Sequence, residues 1–386
     1  MRISSPEWIR TLAVAALMAS ACGGSTQTGG NAPTPSASPS VTVSPSATAT
    51  ASPTAAKTCT SSGRCSLALV TLRGSNAVVV RDVTDIIHPK TVSTMPELSI
   101  PQFANANEVS GIDYSVQTNG LVRMSFGGSP KTVVPDSGRL PGYYDWSPDG
   151  SALVYLTHSS TASNSVLALH QLTSGGDRVL DGSVPALPAV GCESEFCPLA
   201  EAWDARLAYS TDGTTISWVT SIANVNTFRL WASGGKLLVS SGSPVRSMSV
   251  WSGNFLYFRD AKGVETWRDG ITAHLLSGVA WIRPKASPAG GQIVYETRDA
   301  QHVADTFVLD TTTHKIRQLQ RARFDPHFLT SRYVWYQGQR ACVAADRCPT
   351  GWSAIASGKT YIYDLLATTE SESRITAVYD VWPHAA

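Results

Sequence analysis

One turn recurs along this chain, and its recurrence restricts the fold more than any other feature. Asp145-Trp146-Ser147-Pro148-Asp149-Gly150-Ser151-Ala152-Leu153-Val154-Tyr155 reads as a strand end, a tight Asp-Gly turn and a new apolar strand. Tyr209-Ser210-Thr211-Asp212-Gly213-Thr214-Thr215-Ile216-Ser217-Trp218 repeats it, as does Ala286-Ser287-Pro288-Ala289-Gly290-Gly291-Gln292-Ile293-Val294-Tyr295. Shorter echoes start at Trp251 and Phe328. With Ser147, Ser210, Ser252, Ser287 and Leu329 as equivalent points, the spacings are 63, 42, 35 and 42 residues. The long spacing holds Cys192 and Cys197 and reads as an insertion.

Each unit continues into a second hairpin, as at Val166 to Leu169, Phe228 to Trp231, Thr306 to Asp310 and Tyr361 to Leu365. Helical periodicity is absent from residue 58 onward, and short Val-, Leu-, Tyr- and Trp-rich runs alternate with Gly, Pro, Asp and Ser turns. Four short strands per repeat make a propeller blade, which cannot bury both faces alone and must stack around an axis. The expected fold is therefore all-β: a β-propeller of about seven four-stranded blades over residues 58–386. The units fall at 58–100, 101–137, 138–182, 183–241, 242–278, 279–320 and 321–386. Six blades stays open, because the first two units are faint.

The Trp146-Ser147-Pro148-Asp149-Gly150 turn and the Tyr361-Ile362-Tyr363-Asp364-Leu365 strand resemble the TolB-type propeller repeat, in full only in the third unit. The resemblance implies a propeller that works through protein contacts in the cell envelope. The motif itself is structural. Asp149-Gly150 and Asp212-Gly213 suit tight turns with positive φ, and Trp146 is placed to plug the gap between neighbouring sheets.

The first residues belong to a different kind of sequence. Arg2 and Arg10 mark a basic start, Thr11 to Ala19 is a short apolar run, and Ala19-Ser20-Ala21-Cys22 follows. The run is too short to span a bilayer and reads as a signal peptide over residues 1–22. The small residues before Cys22 resemble a lipobox, so Cys22 is the expected lipid acceptor, with ordinary cleavage after Ala21 as the alternative. Residues 23–57 are almost all Ser, Thr, Pro, Ala and Gly, with one charge at the end. Such a segment has nothing to bury against the entropy of ordering, and is expected to be a disordered tether.

Beyond Cys22 the remaining cysteines form three close doublets: Cys59/Cys65, Cys192/Cys197 and Cys342/Cys348. In an oxidising compartment these are expected as three local disulfides. Zinc sites want closer doublets backed by a second pair or a nearby histidine, and none has one.

Function is less legible. A net charge of +1 supplies no basic field for nucleic acid. No G-x-S-x-G elbow, H-E-x-x-H helix, phosphate-binding glycine loop or calcium loop occurs, and no cofactor or metal is expected. The last unit takes up the sequence as far as residue 386, so a joined hydrolase domain is not expected. In a propeller the residues just before the recurring turn can face the central channel. Asp145, Asp204, Arg206, Arg283, Lys285, Asp325 and His327 lie there, a mixed-charge set able to form a polar funnel for a ligand or peptide end, or simply a wet channel lining. The preferred reading is a non-enzymatic, lipid-anchored envelope scaffold for a protein or glycan partner. The alternative is a propeller enzyme using channel carboxylates on an extracellular sugar or lactone.

Overall fold

The computed structural model describes residues 66–383, apart from stretches at 76, 97, 114–119, 136–142, 159–165, 186–204, 223–224, 242–245, 344–345 and 347. Cys22, Cys59, Cys65, Cys192, Cys197 and Asp204 lie outside the described residues.

The described residues form 28 strands in seven four-stranded antiparallel sheets. Each sheet is one blade. The inner strands are Ile375–Trp382 in blade 1, Ser99–Asn105 in blade 2, Tyr144–Trp146 in blade 3, Ala205–Tyr209 in blade 4, Ser247–Ser252 in blade 5, Ile282–Ala286 in blade 6 and Arg323–Phe328 in blade 7. Successive inner strands touch from blade 1 round to blade 7. The units read from the repeat correspond to the blades, with one correction at the C terminus. Residues 375–382 do not extend blade 7 but pair antiparallel with Leu67–Leu72, so the last strand becomes the inner strand of the first blade. A lone three-stranded first blade would leave an unpaired edge beside the channel, and the closing strand removes it.

The outer strand of each blade is the least buried, and the second strand is as buried as the inner one or more so in blades 2, 6 and 7. Ser247–Ser252 is buried throughout, whereas the outer strand of the same blade, Ile271–Ser277, is largely exposed. The core lies between blades. Val154, Leu156, Leu167 and Leu169 of blade 3 pack against Leu207, Tyr209, Ile216, Trp218 and Trp231 of blade 4. Each such side chain contributes about 1.5–3 kcal/mol on burial, so the inter-blade seams hold the ring together.

The recurring turn locks itself. Ser147 Oγ donates to Asp149 Oδ1 at 2.6 Å, Ala152 N donates to Ser147 Oγ at 2.9 Å, and Gly150 N closes on the Ser147 carbonyl at 2.7 Å. Blade 4 copies this with Ser210, Asp212, Thr215 and Gly213. Gly150 and Gly213 have φ near +70°, at 69° and 71°, where a side chain is strained. Trp146 is a plug as expected: it is 5% exposed, and its Nε1 donates to Ser110 Oγ of blade 2 at 2.8 Å. Trp251 of blade 5 does the same to Ser217 of blade 4 at 2.9 Å.

Cys342 and Cys348 lie side by side in the loop between the second and third strands of blade 7, their Cα atoms 6.4 Å apart and within reach of a possible disulfide.

Candidate functional site

An inner strand has a neighbour on one side only, so its other edge can do without a ladder hydrogen bond. Proline is tolerated there. Ile100-Pro101, Arg283-Pro284 and Asp325-Pro326 all fall on inner strands, and each residue before the proline has positive φ, at 50°, 51° and 54°. Met248 of blade 5, followed by Ser249, has φ 47°. Ladder pairing skips at each of the four, between Ser99 and Gln102, Ser247 and Val250, Ile282 and Lys285, and Phe324 and His327. These are β-bulges, which re-aim side chains next to sites. A non-glycine residue held there costs about 1–3 kcal/mol.

The four bulge residues all line one cavity of about 780 Å³ on the axis. Asp145, Arg206, Arg283, Lys285 and Asp325 line it too, so five of the sequence-predicted set converge. His327 is not in the lining. Its side chain sits behind Asp325, with Nε2 3.4 Å from Asp325 Oδ1 and the ring edge-on to Trp335. Asp380 and Gln102 also line the cavity and were not foreseen. Asp380 belongs to the closing strand, whose inner position could not be read while it was counted with blade 7. Gln102 lay in a unit without the turn motif. Glu296 has a signal in retrospect: one carboxylate ending the apolar run Ile293-Val294-Tyr295.

The carboxylates have structural work. Asp145 Oδ2 accepts Tyr209 N–H from blade 4 at 2.7 Å. Asp380 Oδ2 accepts Phe103 N–H from blade 2, also at 2.7 Å. Fully buried Glu296 accepts Asp325 N–H from blade 7 and pairs with Arg298 at 2.9 Å. Each latch ties a blade to the backbone of the next inner strand. Asp325 is held by Gln337 Nε2 at 3.1 Å and Arg283 at 3.4 Å as well as by His327. Burial pushes its carboxyl up, but the His327 hydrogen bond and the charges of His327, Arg283 and Lys285 outweigh this and hold it well below the usual range. Burial pushes His327 down and Glu296 up.

Lys285 differs. Among the described residues its ammonium makes no ion pair or hydrogen bond. Burial pushes it down to about 8, Arg206 adding to the shift while Asp325 and Asp380 oppose it. Among the described residues the cavity thus presents a cation without an ion-pair partner, beside Arg206 and Arg283.

No protein-family model matches the chain, and no curated protein does. Among solved structures the chain is similar to propeller domains. Prolyl endopeptidases match with a TM-score of 0.53 and 10% identity over 80% of this chain and 50% of theirs. TolB from Acinetobacter baumannii matches with a TM-score of 0.44 and 16% identity, over 82% of this chain and 65% of that one. The β-propeller domain of the Trilobed protease from Pyrococcus furiosus matches with a TM-score of 0.47 and 11% identity, over 71% and 82%. At these identities the likeness is one of fold.

Proposed function

We propose that the protein is a non-enzymatic binding scaffold of the cell envelope, lipid-anchored at Cys22 and tethered by residues 23–57. Its channel receives an anionic end group, a carboxylate or phosphate, of a protein or glycan partner. The observation that carries this reading is Lys285. Among the described residues this half-buried ammonium has no ion pair or hydrogen bond, which costs stability, and an anion that completes it would account for its persistence at the cavity wall. The latched carboxylates weigh against the alternative of a sugar- or lactone-processing enzyme. Asp145 and Asp380 already accept backbone N–H groups, and displacing either as an acid or base would loosen an inter-blade seam.

The test is titration of the protein with inorganic phosphate and with acetate, followed by calorimetry. Binding should occur near pH 7, weaken above pH 8 as Lys285 loses its proton, and disappear in Lys285→Met. Equal affinity in the variant overturns the channel reading. The anchor is tested separately: Cys22→Ala should leave the membrane fraction or stall as precursor, and unchanged fractionation ends the lipoprotein reading.

A further inference from the structure

Lys90, Lys131, Lys236, Lys262, Lys315 and Lys359 are exposed, as lysines ordinarily are. Among the described residues Lys285 is the exception. It is half-buried on the inner strand of blade 6 and lines the channel cavity, whose volume of about 780 Å³ is that of a small-molecule site. The backbone aims it there. Arg283 holds φ at 51° in front of Pro284, and the ladder skips from Ile282 to Lys285, so the strand is redirected just before the lysine.

The charged groups around the cavity come from five blades: Asp380 of blade 1, Asp145 of blade 3, Arg206 of blade 4, Arg283 and Lys285 of blade 6, and Asp325 of blade 7. Cations and carboxylates are equal in number, so what separates them is what each is bound to. Asp145 and Asp380 accept backbone N–H groups, and Asp325 is held by Arg283, Gln337 and His327. Lys285 makes no ion pair or hydrogen bond among the described residues. Burial pushes its ammonium down to about 8, with Arg206 and Arg283 adding to the shift and Asp325 and Asp380 opposing it. A desolvated amine beside guanidinium groups is the arrangement in which a lysine reaches its free-base form near neutral pH, and that form attacks carbonyl carbon. The planar fork of arginine matches a carboxylate.

We propose that Lys285 captures the carbonyl group of a small 2-oxo acid as an imine, with Arg206 and Arg283 holding the acid's carboxylate. Arg283 and Lys285 stand two residues apart on one strand and both line the cavity. The carboxylate and the carbonyl they take must therefore be close together, as they are in a 2-oxo acid. The Nζ lone pair adds to the oxo carbon, and the carbonyl π pair moves to the oxygen, which takes up one Nζ proton. The hydroxyl so formed leaves with the second Nζ proton as water, and a C=N bond remains. No oxidant or reductant takes part. The protonated imine carries the same single positive charge as the ammonium, so Asp325 and Asp380 keep the counter-charge they face. The inference rests on the channel reading for its site and adds a covalent step that an ion pair lacks.

The test incubates the full chain with pyruvate and cyanoborohydride, which reduces an imine to a stable secondary amine, and maps the adducts by peptide mass. At pH 7 Lys285 should be labelled about tenfold or more faster than the exposed lysines, from its larger share of free amine. Its labelling should rise to about pH 8 and then level off, whereas phosphate binding at the same residue weakens above that pH. Propanal, which lacks a carboxylate, should label it about tenfold less than pyruvate. Arg206→Gln should bring the ratio of pyruvate to propanal labelling down toward one. Lys285→Arg keeps a cation in place, so it should retain phosphate binding and lose the fast phase of labelling. Adducts spread evenly over the lysines, or equal labelling by propanal and pyruvate, overturns the proposal. Phosphate binding without a pyruvate adduct also overturns it and leaves the channel reading standing. An adduct at Lys285 without phosphate binding upholds the capture and ends the ion-pair reading instead. The mapping is read on the unmutated chain, so it does not depend on any variant that folds.

Discussion

Asp145 on blade 3 and Lys285 on blade 6 occupy the same position of the repeat, two residues before Ser147 and Ser287, and both line the channel. Their neighbours make them different. Tyr209 N–H of the next blade points at Asp145 and turns it into a latch. At the blade 6–7 seam the latch is supplied one strand further out, by Glu296, whose carboxylate takes Asp325 N–H. Lys285 is thereby released from holding the ring. Repeat position decides which side chains reach the axis, and the adjoining backbone decides which of them are already used.

Glu296→Ala should show the largest effect. It removes a fully buried carboxylate that holds both Arg298 and the blade 7 backbone, and breaking a buried pair from one side costs about 3 kcal/mol or more. Denaturant unfolding measures this, and a loss under about 1 kcal/mol would mean that the seam is held by packing alone. Gly150→Ala comes next, on the blade 3 side. A Cβ there would run into the Ala104 carbonyl oxygen of blade 2, at a φ that disfavours one, for a loss of about 2 kcal/mol. Gly213→Ala meets only Pro148 Cδ at 3.3 Å and should cost about half as much. Equal losses would show that the two turns are equally free of the neighbouring blade.

Asp145→Ala should cost about 1–2 kcal/mol, because Tyr209 N–H loses its acceptor, while phosphate binding at Lys285 survives. Lost binding with intact stability would reverse the roles assigned to the two positions.

The smallest stability effect belongs to Lys285→Met, and its sign is opposite. Below about pH 8 the lysine is protonated both folded and unfolded, so the folded state carries the cost of its poorly solvated charge. Removing it should stabilise by up to about 1 kcal/mol after allowance for solvent screening. From about pH 8 toward the ordinary lysine value of 10.5 the wild type sheds that proton on folding and gains stability, so the difference should close. Thermal melts at pH 7 and pH 10 read it. A destabilised variant at pH 7 would mean that Lys285 is structural after all.

Much of the fold was legible. Ser147, Asp149 and Gly150 announce a turn whose geometry follows from local chemistry alone, and Ser210, Asp212 and Gly213 announce it again in blade 4. The bulges were written as Ile100-Pro101, Arg283-Pro284 and Asp325-Pro326, but only an inner-strand assignment gives those dipeptides meaning. The site was half legible. Counting back from the turn finds Asp145, Arg206, Arg283, Lys285 and Asp325, because a strand's alternation carries that far. It cannot find Asp380, which reaches the channel only when the chain's last strand pairs with its first.

By itself, then, the sequence determined what is local or periodic: strands, turns, repeat length, and the inner-strand positions that can face an axis. These depend on dihedral preferences and alternation within a few residues. The tertiary structure decided what depends on contact between blades remote in sequence. It closed the ring through residues 375–382, handed Asp145, Asp380 and Glu296 to neighbouring backbones, and left Lys285 without a partner among the described residues. A hydrogen bond needs its acceptor within about 3 Å of its donor, and between blades only the closed ring sets that distance.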